Sequence, residues 1–158
     1  MILDDFIDDL KQYIKTSVVA LNSNFSALIV DDAYVYEKKP TPPEIDLAIV
    51  DYSDDDNSNS YENENVSIVV LNIYCYANAM KFDNNTSKSN AVISTRRLAD
   101  CLAKCLNKTT FQANNNNVIS STRQSYTGAM SVEDSSLYVA IFRYNFKIRN
   151  NYDKIYNE

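Results

Sequence analysis

The residues that could carry out acid–base chemistry in this sequence are paired carboxylates. They occur at Asp4–Asp5, Asp8–Asp9, Asp54–Asp56 and Glu133–Asp134. A catalytic carboxyl group needs a pKa that burial or a neighbouring like charge has shifted. All of these pairs fall in segments whose polar composition predicts exposure to solvent. We therefore expect no catalysis from them and predict that the protein is not an enzyme. An enzyme of unfamiliar type, using Tyr, Lys or carboxylates, is the remaining catalytic alternative.

The composition excludes most common catalytic and cofactor-binding motifs. The chain contains no His and a single Gly, Gly128. Without His, the Ser-His-Asp and Cys-His nucleophile systems and the H-E-x-x-H zinc helix cannot be built. With one Gly, neither the G-x-G-x-x-G nor the G-x-x-x-x-G-K-[ST] phosphate-binding loop can be built. The sequence therefore predicts no catalytic residue, no cofactor and no bound metal.

The three cysteines are better explained by packing than by chemistry. Cys101 and Cys105 are four residues apart in a helical pattern, where the geometry for a disulfide is poor. Cys75 lies in an apolar strand pattern with no plausible general base, and the sequence offers too few further ligands nearby for a zinc site. We predict reduced thiols buried in the core of a cytoplasmically made protein.

One long polar segment is a candidate cation site. Residues 53–65 are rich in Asp, Asn, Ser and Glu, which predicts an acidic surface loop. Read as a calcium loop from Asp51, the segment places Glu62 at the twelfth position, but Asp56 stands where a Gly is required. A surface loop is therefore the simpler interpretation, and cation binding stays open as the alternative.

The net charge limits the partners. Lys and Arg number 15 against 21 Asp and Glu, which gives a net charge of −6. Proteins that bind nucleic acid freely usually have the opposite balance, because their affinity comes from neutralising phosphates. The chain shows no basic leader and no apolar run of the roughly 18 residues that span a membrane. We expect a soluble protein that is not secreted, that has no membrane partner and that contacts DNA only as passing cargo.

Two helices and five strands must position these residues. Apolar residues spaced by three and four predict an amphipathic helix from Ile2 to Leu21, and a second helix follows residue 90. Pro40–Pro43 predicts a break between the first two strands, as a hairpin or corner, and a turn is expected around Gly128. The order α-β-β-β-α-β-β predicts a two-layer α+β fold, a mainly antiparallel sheet with two helices packed on it. Residues 1–158 are expected to form one domain with a short C-terminal tail, 150–158.

Two charged surfaces and an excess of tyrosine suggest subunit contacts. The chain has 12 Tyr, too many to bury in one small core with every hydroxyl satisfied, and Tyr is enriched at interfaces. The simplest interpretation is that these charged side chains only face solvent. The alternative is that they form subunit interfaces or face DNA or an acidic partner. The acidic candidates lie on the first helix (Asp4, Asp5, Asp8, Asp9), and the basic candidates share one face of the last strand (Arg143, Lys147, Arg149).

Six segments resemble those of tail terminator and head-to-tail connector proteins of tailed bacteriophages. They are the opening helix MILDDFIDDLKQYI, the strand–proline–strand piece YVYEKKPTPPEIDLAIV, the polar loop, the long strand NVSIVVLNIYCYA, the helix AVISTRRLADCLAKCL and the final strand pair that ends LYVAIFRYNFKIRN. The likeness rests on the order of elements and the position of the proline corner and covers about residues 1–150. The extended acidic loop and the scarcity of Gly depart from the common pattern.

The resemblance implies a structural role in the virion. Copies of the chain would assemble into a closed homohexameric or dodecameric ring in the neck or at the head-proximal end of the tail. Portal or head-completion proteins on one side and tail tube or tail hub proteins on the other would be its partners. The protein would be made in the host cytoplasm. The competing interpretation is an acidic binding protein, of the DNA-mimic or inhibitor type, that acts as a monomer or dimer.

Overall fold

The structure is a computed structural model that describes residues 2–33, 40–55, 65–80, 82, 90–107, 111–113, 116–132 and 137–150. Its described strands form a six-stranded sheet in the order β1-β2-β3-β6-β5-β4, with two helices packed on it. The elements are α1 (Ile2–Leu21), a 3₁₀ turn (Ser23–Phe25), β1 (Ile29–Asp32), β2 (Glu44–Asp55), β3 (Asn65–Ala77), α2 (Ala91–Leu106), β4 (Phe111–Ala113), β5 (Asn116–Ser131) and β6 (Tyr138–Asn150).

The predicted fold class and the predicted order of helices and strands are confirmed. The short strand β4 is an addition that the sequence pattern did not show. Strands β3 and β6 have 13 residues each and pair antiparallel over their full length, so they form the centre of the sheet. The remaining described pairs are also antiparallel, with the exception of β1 and β2.

The core lies between the helices and one face of the sheet. Alternate residues of β3 and β6 point to this face because side chains alternate along a strand. The helices bury the apolar stripes that their spacing predicts. The Phe6 ring of α1 meets the Phe146 ring of β6 edge to face, with centroids 5.8 Å apart. The fully buried large side chains include Phe6, Leu10, Ile14, Ile45, Leu71, Ile73, Leu98, Leu102, Phe142, Tyr144 and Phe146.

Side-chain hydrogen bonds fix both ends of α2. At its start, the Asn90 Oδ1 atom accepts the N–H of Ile93 at 2.9 Å, as an N-cap does. At its end, the Tyr13 hydroxyl of α1 donates to the Cys105 carbonyl oxygen at 2.9 Å. The Tyr144 hydroxyl of β6 donates to Asn107 Oδ1 at 3.0 Å. The last turn of α2 is thereby attached to the other helix and to the sheet.

The proline break was expected to form a hairpin or a corner, and the hairpin alternative is wrong. β1 runs parallel to β2, with Ile29 opposite Glu44 and Asp32 opposite Leu47. For two strands to pair in parallel, the chain must return after the first strand to the end of the sheet where that strand began. In a hairpin the chain instead reverses direction at once. The prolines show where a strand ends, because they cannot donate to a ladder, but they do not show the direction of the next strand. Residues 34–39 of this connection lie outside the described residues.

Strands extend into both ends of the predicted acidic loop and into the start of the predicted tail. Residues 53–55 pair with β3 as the end of β2, and Asn65 begins β3. Residues 56–64, which include the calcium-loop candidates Asp56 and Glu62, lie outside the described residues. Asn150 is the last residue of β6, and residues 151–158 also lie outside the described residues.

Gly128 lies inside β5 rather than in the expected turn. It falls where the β5–β6 register shifts between Thr127 and Met130, which marks a bulge. Its φ is not positive, and a Cβ built on it meets no atom within 4 Å. Backbone conformation and space therefore both accept a side chain.

We expect Gly128→Ala to raise the free energy of unfolding by about 0.4–1 kcal/mol, because alanine lowers the conformational entropy of the unfolded chain. Urea denaturation of the two proteins measures the difference. A loss of stability above about 0.5 kcal/mol would show that this bulge needs glycine.

Candidate interaction surfaces

The acidic residues of α1 lie on the side of the helix away from the core. Asp4, Asp5 and Asp8 are exposed and Asp9 is half-buried, whereas Phe6 between them is buried. These four residues form the α1 acidic surface. Lys11 lies next to it, with its Nζ atom 3.6 Å from Asp8 Oδ1 and 3.0 Å from Asp32 Oδ2. The Lys11 ion pairs therefore connect the edge of this surface to the end of β1.

The basic residues of β6 lie on the opposite face of the sheet from the helices. Arg143 is exposed and Lys147 is half-buried, and they alternate with the buried residues Phe142 and Phe146. The Nε atom of Arg143 donates to Asn72 Oδ1 of β3 at 3.0 Å. We call Arg143, Lys147 and Arg149 the β6 basic stripe.

Arg149 has the same parity along β6, opposite Val66, but its side chain lies outside the described part of the structure. The prediction that the basic residues share one face is confirmed for Arg143 and Lys147.

The structure does not bring the two charged surfaces together within one subunit. The α1 acidic surface lies on the helical side of the sheet, and Arg143 and Lys147 lie on the other side. Because the sheet separates them, they cannot neutralise each other in a single chain. A head-to-tail contact between subunits likewise uses two different surfaces of one chain.

The three cysteines are buried thiols, as predicted. Burial raises the pKa of the Cys75 thiol, and the nearby Asp46 carboxylate raises it further. Burial also raises the pKa of Cys101. A thiol must ionise to act as a nucleophile or metal ligand, so both shifts favour the inert, protonated form. Among the residues that the structure describes, no group of three His, Cys, Asp or Glu residues is arranged to hold a metal ion.

Two buried carboxylates were missed by the sequence analysis. Glu44 and Asp46 are buried on β2, where strand alternation assigns Asp46 to the solvent side. Glu44 Oε1 accepts the N–H of Thr41 at 3.3 Å. Burial raises the pKa of Tyr76, which lies opposite Glu44, to about 12, and the charge of Asp46 adds to this effect. A carboxylate at a polar position of a strand carries no sequence signal that distinguishes burial from exposure.

The described tyrosines support the expectation that they are not all core residues. Tyr144 is fully buried, but Tyr126 on β5 is 42% exposed, and Tyr74, Tyr76 and Tyr138 are half-buried. The Tyr126 ring stacks on Phe142 with centroids 4.5 Å apart. Exposed aromatic area of this kind is enriched at protein interfaces.

Neither of the described helices is both long enough and apolar enough to cross a membrane.

Comparison with known proteins identifies the fold. The sequence matches no protein-family model and no curated protein. Among 18 matching chains of solved structures is one from the virion of a native gene transfer agent particle. The likeness covers 86% of this chain and 94% of that chain, with a TM-score of 0.50 and 12% sequence identity. At this level of identity the likeness establishes a shared fold.

Proposed function

We propose that this chain is a structural component of a tailed-phage virion that forms a homo-oligomeric ring in the neck or at the head-proximal end of the tail. The observation that carries the proposal is the fold shared with a chain of a gene transfer agent virion, which is a phage-like particle. The likeness extends over nearly the whole length of both chains. In this role, as tail terminator or head–tail adaptor, the protein joins portal or head-completion proteins to the tail and catalyses no reaction.

The separation of charged surfaces supports a head-to-tail assembly. A closed ring needs two different surfaces on each subunit, related by a rotation that closes. The α1 acidic surface and the β6 basic stripe are different, opposite in charge and on opposite sides of the sheet. They are candidates for contacts within a ring or between stacked rings. The overall charge of −6 disfavours contact with phosphates, so DNA passes through such a ring without binding.

Native mass spectrometry over a concentration series, followed by negative-stain imaging, tests the proposal. A closed ring of six or twelve subunits is the expected result. The exposed carboxylates Asp4, Asp5 and Asp8 favour a second candidate function, that of an acidic protein that binds a basic surface of a partner. A monomer or dimer at every concentration, with salt-sensitive binding to a basic partner, would favour that candidate and contradict the ring.

We expect the double variant Arg143→Glu, Lys147→Glu to raise the concentration needed for ring assembly or stacking by roughly tenfold or more, because like charges then face each other. Light scattering across concentrations measures the shift. The matched control is Arg96→Glu, Lys104→Glu, which makes the same charge change at two exposed positions of α2. If assembly and stacking are unchanged in the Arg143→Glu, Lys147→Glu variant, the hypothesis that the α1 acidic surface contacts the β6 basic stripe is contradicted.

A further inference from the structure

The face of the sheet away from the helices, here called the outer face, has apolar side chains at its centre. Val66, Ile68 and Val70 of β3 point to this face, because Val69 and Leu71 between them point into the core. We call these three half-buried residues the apolar column. A continuous apolar run is typical of a strand that is covered on both faces. Among the described helices and strands, however, none lies on the outer face.

Charged residues of opposite sign stand on the two sides of the apolar column. Val70 lies between Asp51 of β2 and Asn145 of β6. Arg143 and Lys147 stand on β6 two residues before and after Asn145, on the same face. The side chains of Asp51 and Arg143 are exposed, and that of Lys147 is half-buried. An apolar centre with charged side chains around it is the usual composition of a protein interface.

The two exposed charged groups are held by bonds that leave room for a further partner. The Nε atom of Arg143 donates to Asn72 Oδ1 at 3.0 Å, and this is one of several N–H donors of a guanidinium. Asp51 Oδ1 accepts the N–H of Tyr52 at 2.9 Å, and a carboxylate accepts several hydrogen bonds on its two oxygens. Both groups can therefore join an ion pair with another molecule without losing these bonds.

The charges select one way for a second copy to cover this face. If a two-fold axis ran across the strands, β2 would face β2 and β6 would face β6, so like charges would meet. If the axis runs along β3, the apolar column faces its own copy, and β2 of each copy faces β6 of the other. Rotation about such an axis keeps every residue at its level along the strands. Asp51 of each copy then comes between Arg143 and Lys147 of the other.

The outer face is large enough for such a contact. At about 4.8 Å between strands, the four strands from β2 to β5 are about 19 Å wide, and residues 66–74 of β3 span about 30 Å. Two such faces bury roughly 1,100 Å² together, just above the roughly 1,000 Å² expected of a specific interface. Two sheets that pack face to face lie about 10 Å apart, a distance that Arg and Lys side chains can bridge.

We propose that two copies of this chain pack outer face to outer face about a two-fold axis along β3, with Asp51 of each copy between Arg143 and Lys147 of the other. The contact is isologous, so it joins two copies and is then complete. It does not rest on the proposed ring: within rings it joins two rings, and without a ring it gives a dimer. It gives the β6 basic stripe a different partner from the α1 acidic surface.

A charge exchange between two variants of the full-length protein tests this contact. Asp51→Arg and the double variant Arg143→Glu, Lys147→Glu are each expected to associate roughly tenfold more weakly, because like charges then meet twice. Mixed in equal amounts, they are expected to pair at the wild-type concentration, because both charge contacts of the mixed pair are attractive. Analytical ultracentrifugation measures both results. Asp100→Arg, the same charge change at an exposed position of α2, is the matched control.

Cross-linking tests the two-fold axis itself. An axis along β3 puts residue 70 opposite its own copy at the sheet spacing of about 10 Å, so a short bis-maleimide is expected to link Val70→Cys into dimers. Thr122→Cys is the matched control, because Thr122 is exposed on the outer face of β5, two strands from the axis. Its two copies lie about 20 Å or more apart and should not be linked. The native cysteines are buried.

The outcomes separate failure of this contact from failure of the ring. Linked pairs of Val70→Cys without rings would support the contact and contradict the ring. Rings in which Val70→Cys stays unlinked, or in which Asp51→Arg associates as the wild type does, would overturn the contact and leave the ring standing. A wild-type protein that stays monomeric at every concentration would overturn both, and this is the result expected if another segment of the chain covers the outer face.

Discussion

Phe146→Ala is expected to lower the free energy of unfolding by about 3–5 kcal/mol, the usual effect of removing a buried phenyl ring. Phe146 is fully buried on β6, opposite Val69. Its ring meets Phe6 at 5.8 Å and Tyr144 at 5.9 Å between centroids. Alanine leaves a cavity that two helices and the central strands cannot close, because rigid elements surround it. For a domain with about 5–15 kcal/mol of total stability, this is a large fraction.

Urea denaturation, monitored by circular dichroism, measures this effect. The urea concentration at the midpoint of unfolding is expected to fall, while the dependence of the unfolding free energy on urea concentration (the m-value) stays the same. Met130→Ala is the matched control, because Met130 is also on the sheet but is 41% exposed. Its expected change is within about 0.5 kcal/mol. A loss below about 1 kcal/mol in Phe146→Ala, with an unchanged slope, would contradict the assignment of this ring to the core.

The protein is expected to lose stability as the pH rises from about 10 to about 12. Burial raises the pKa of Tyr144 to about 12, the charges of Cys75 and Cys105 add to this, and Arg123 opposes it. An unfolded tyrosine has a pKa of about 10, so above that pH the unfolded chain releases a proton that the folded chain retains. The folded state then loses on the order of 2 kcal/mol relative to the unfolded state, until the pH passes the folded pKa.

Urea denaturation at intervals between about pH 8 and about pH 12 measures this dependence. Tyr144→Phe is expected to reduce stability by about 1 kcal/mol at neutral pH, because the hydrogen bond to Asn107 is lost. It is also expected to make the alkaline decline about half as steep, because Tyr76, whose pKa is likewise raised to about 12, keeps its own share of the decline. Ile73→Val, another buried β-strand variant without a titratable group, should keep the wild-type decline. An alkaline decline that is equally steep in Tyr144→Phe would show that other groups cause it. Burial of the Cys75 thiol acts in the same direction, because it raises the pKa of that group too.

The fold could be predicted from the sequence where periodicity is regular. The stripes of α1 and α2 and the alternation of β3 and β6 follow from burial on one side, which the sequence records residue by residue. β3 and β6 keep an unbroken register, so their two faces were assigned as the structure has them. The same rule placed Arg143 and Lys147 on the face away from Phe146.

Other features depend on contacts that no local pattern records. The parallel direction of β1 depends on where the chain returns after residue 33, not on the residues of the strand. The burial of Glu44 and Asp46 depends on what lies against β2. β5 was predicted to end before Gly128, whereas it continues to Ser131. Each bulge adds a residue that shifts the alternation, so the period is lost and Gly128 looked like a turn.

The three bulges of β5 also affect how the chain can change in evolution. β5 places three more residues between its two ends than the paired part of β6 does. A strand that already accommodates surplus residues can gain or lose one at a bulge without altering the neighbouring strand. In β3 and β6, by contrast, one inserted residue would exchange the buried and exposed faces of everything that follows. Length variation in chains with this fold should therefore be concentrated in β5, which can become longer or shorter while the lengths of β3 and β6 stay constant.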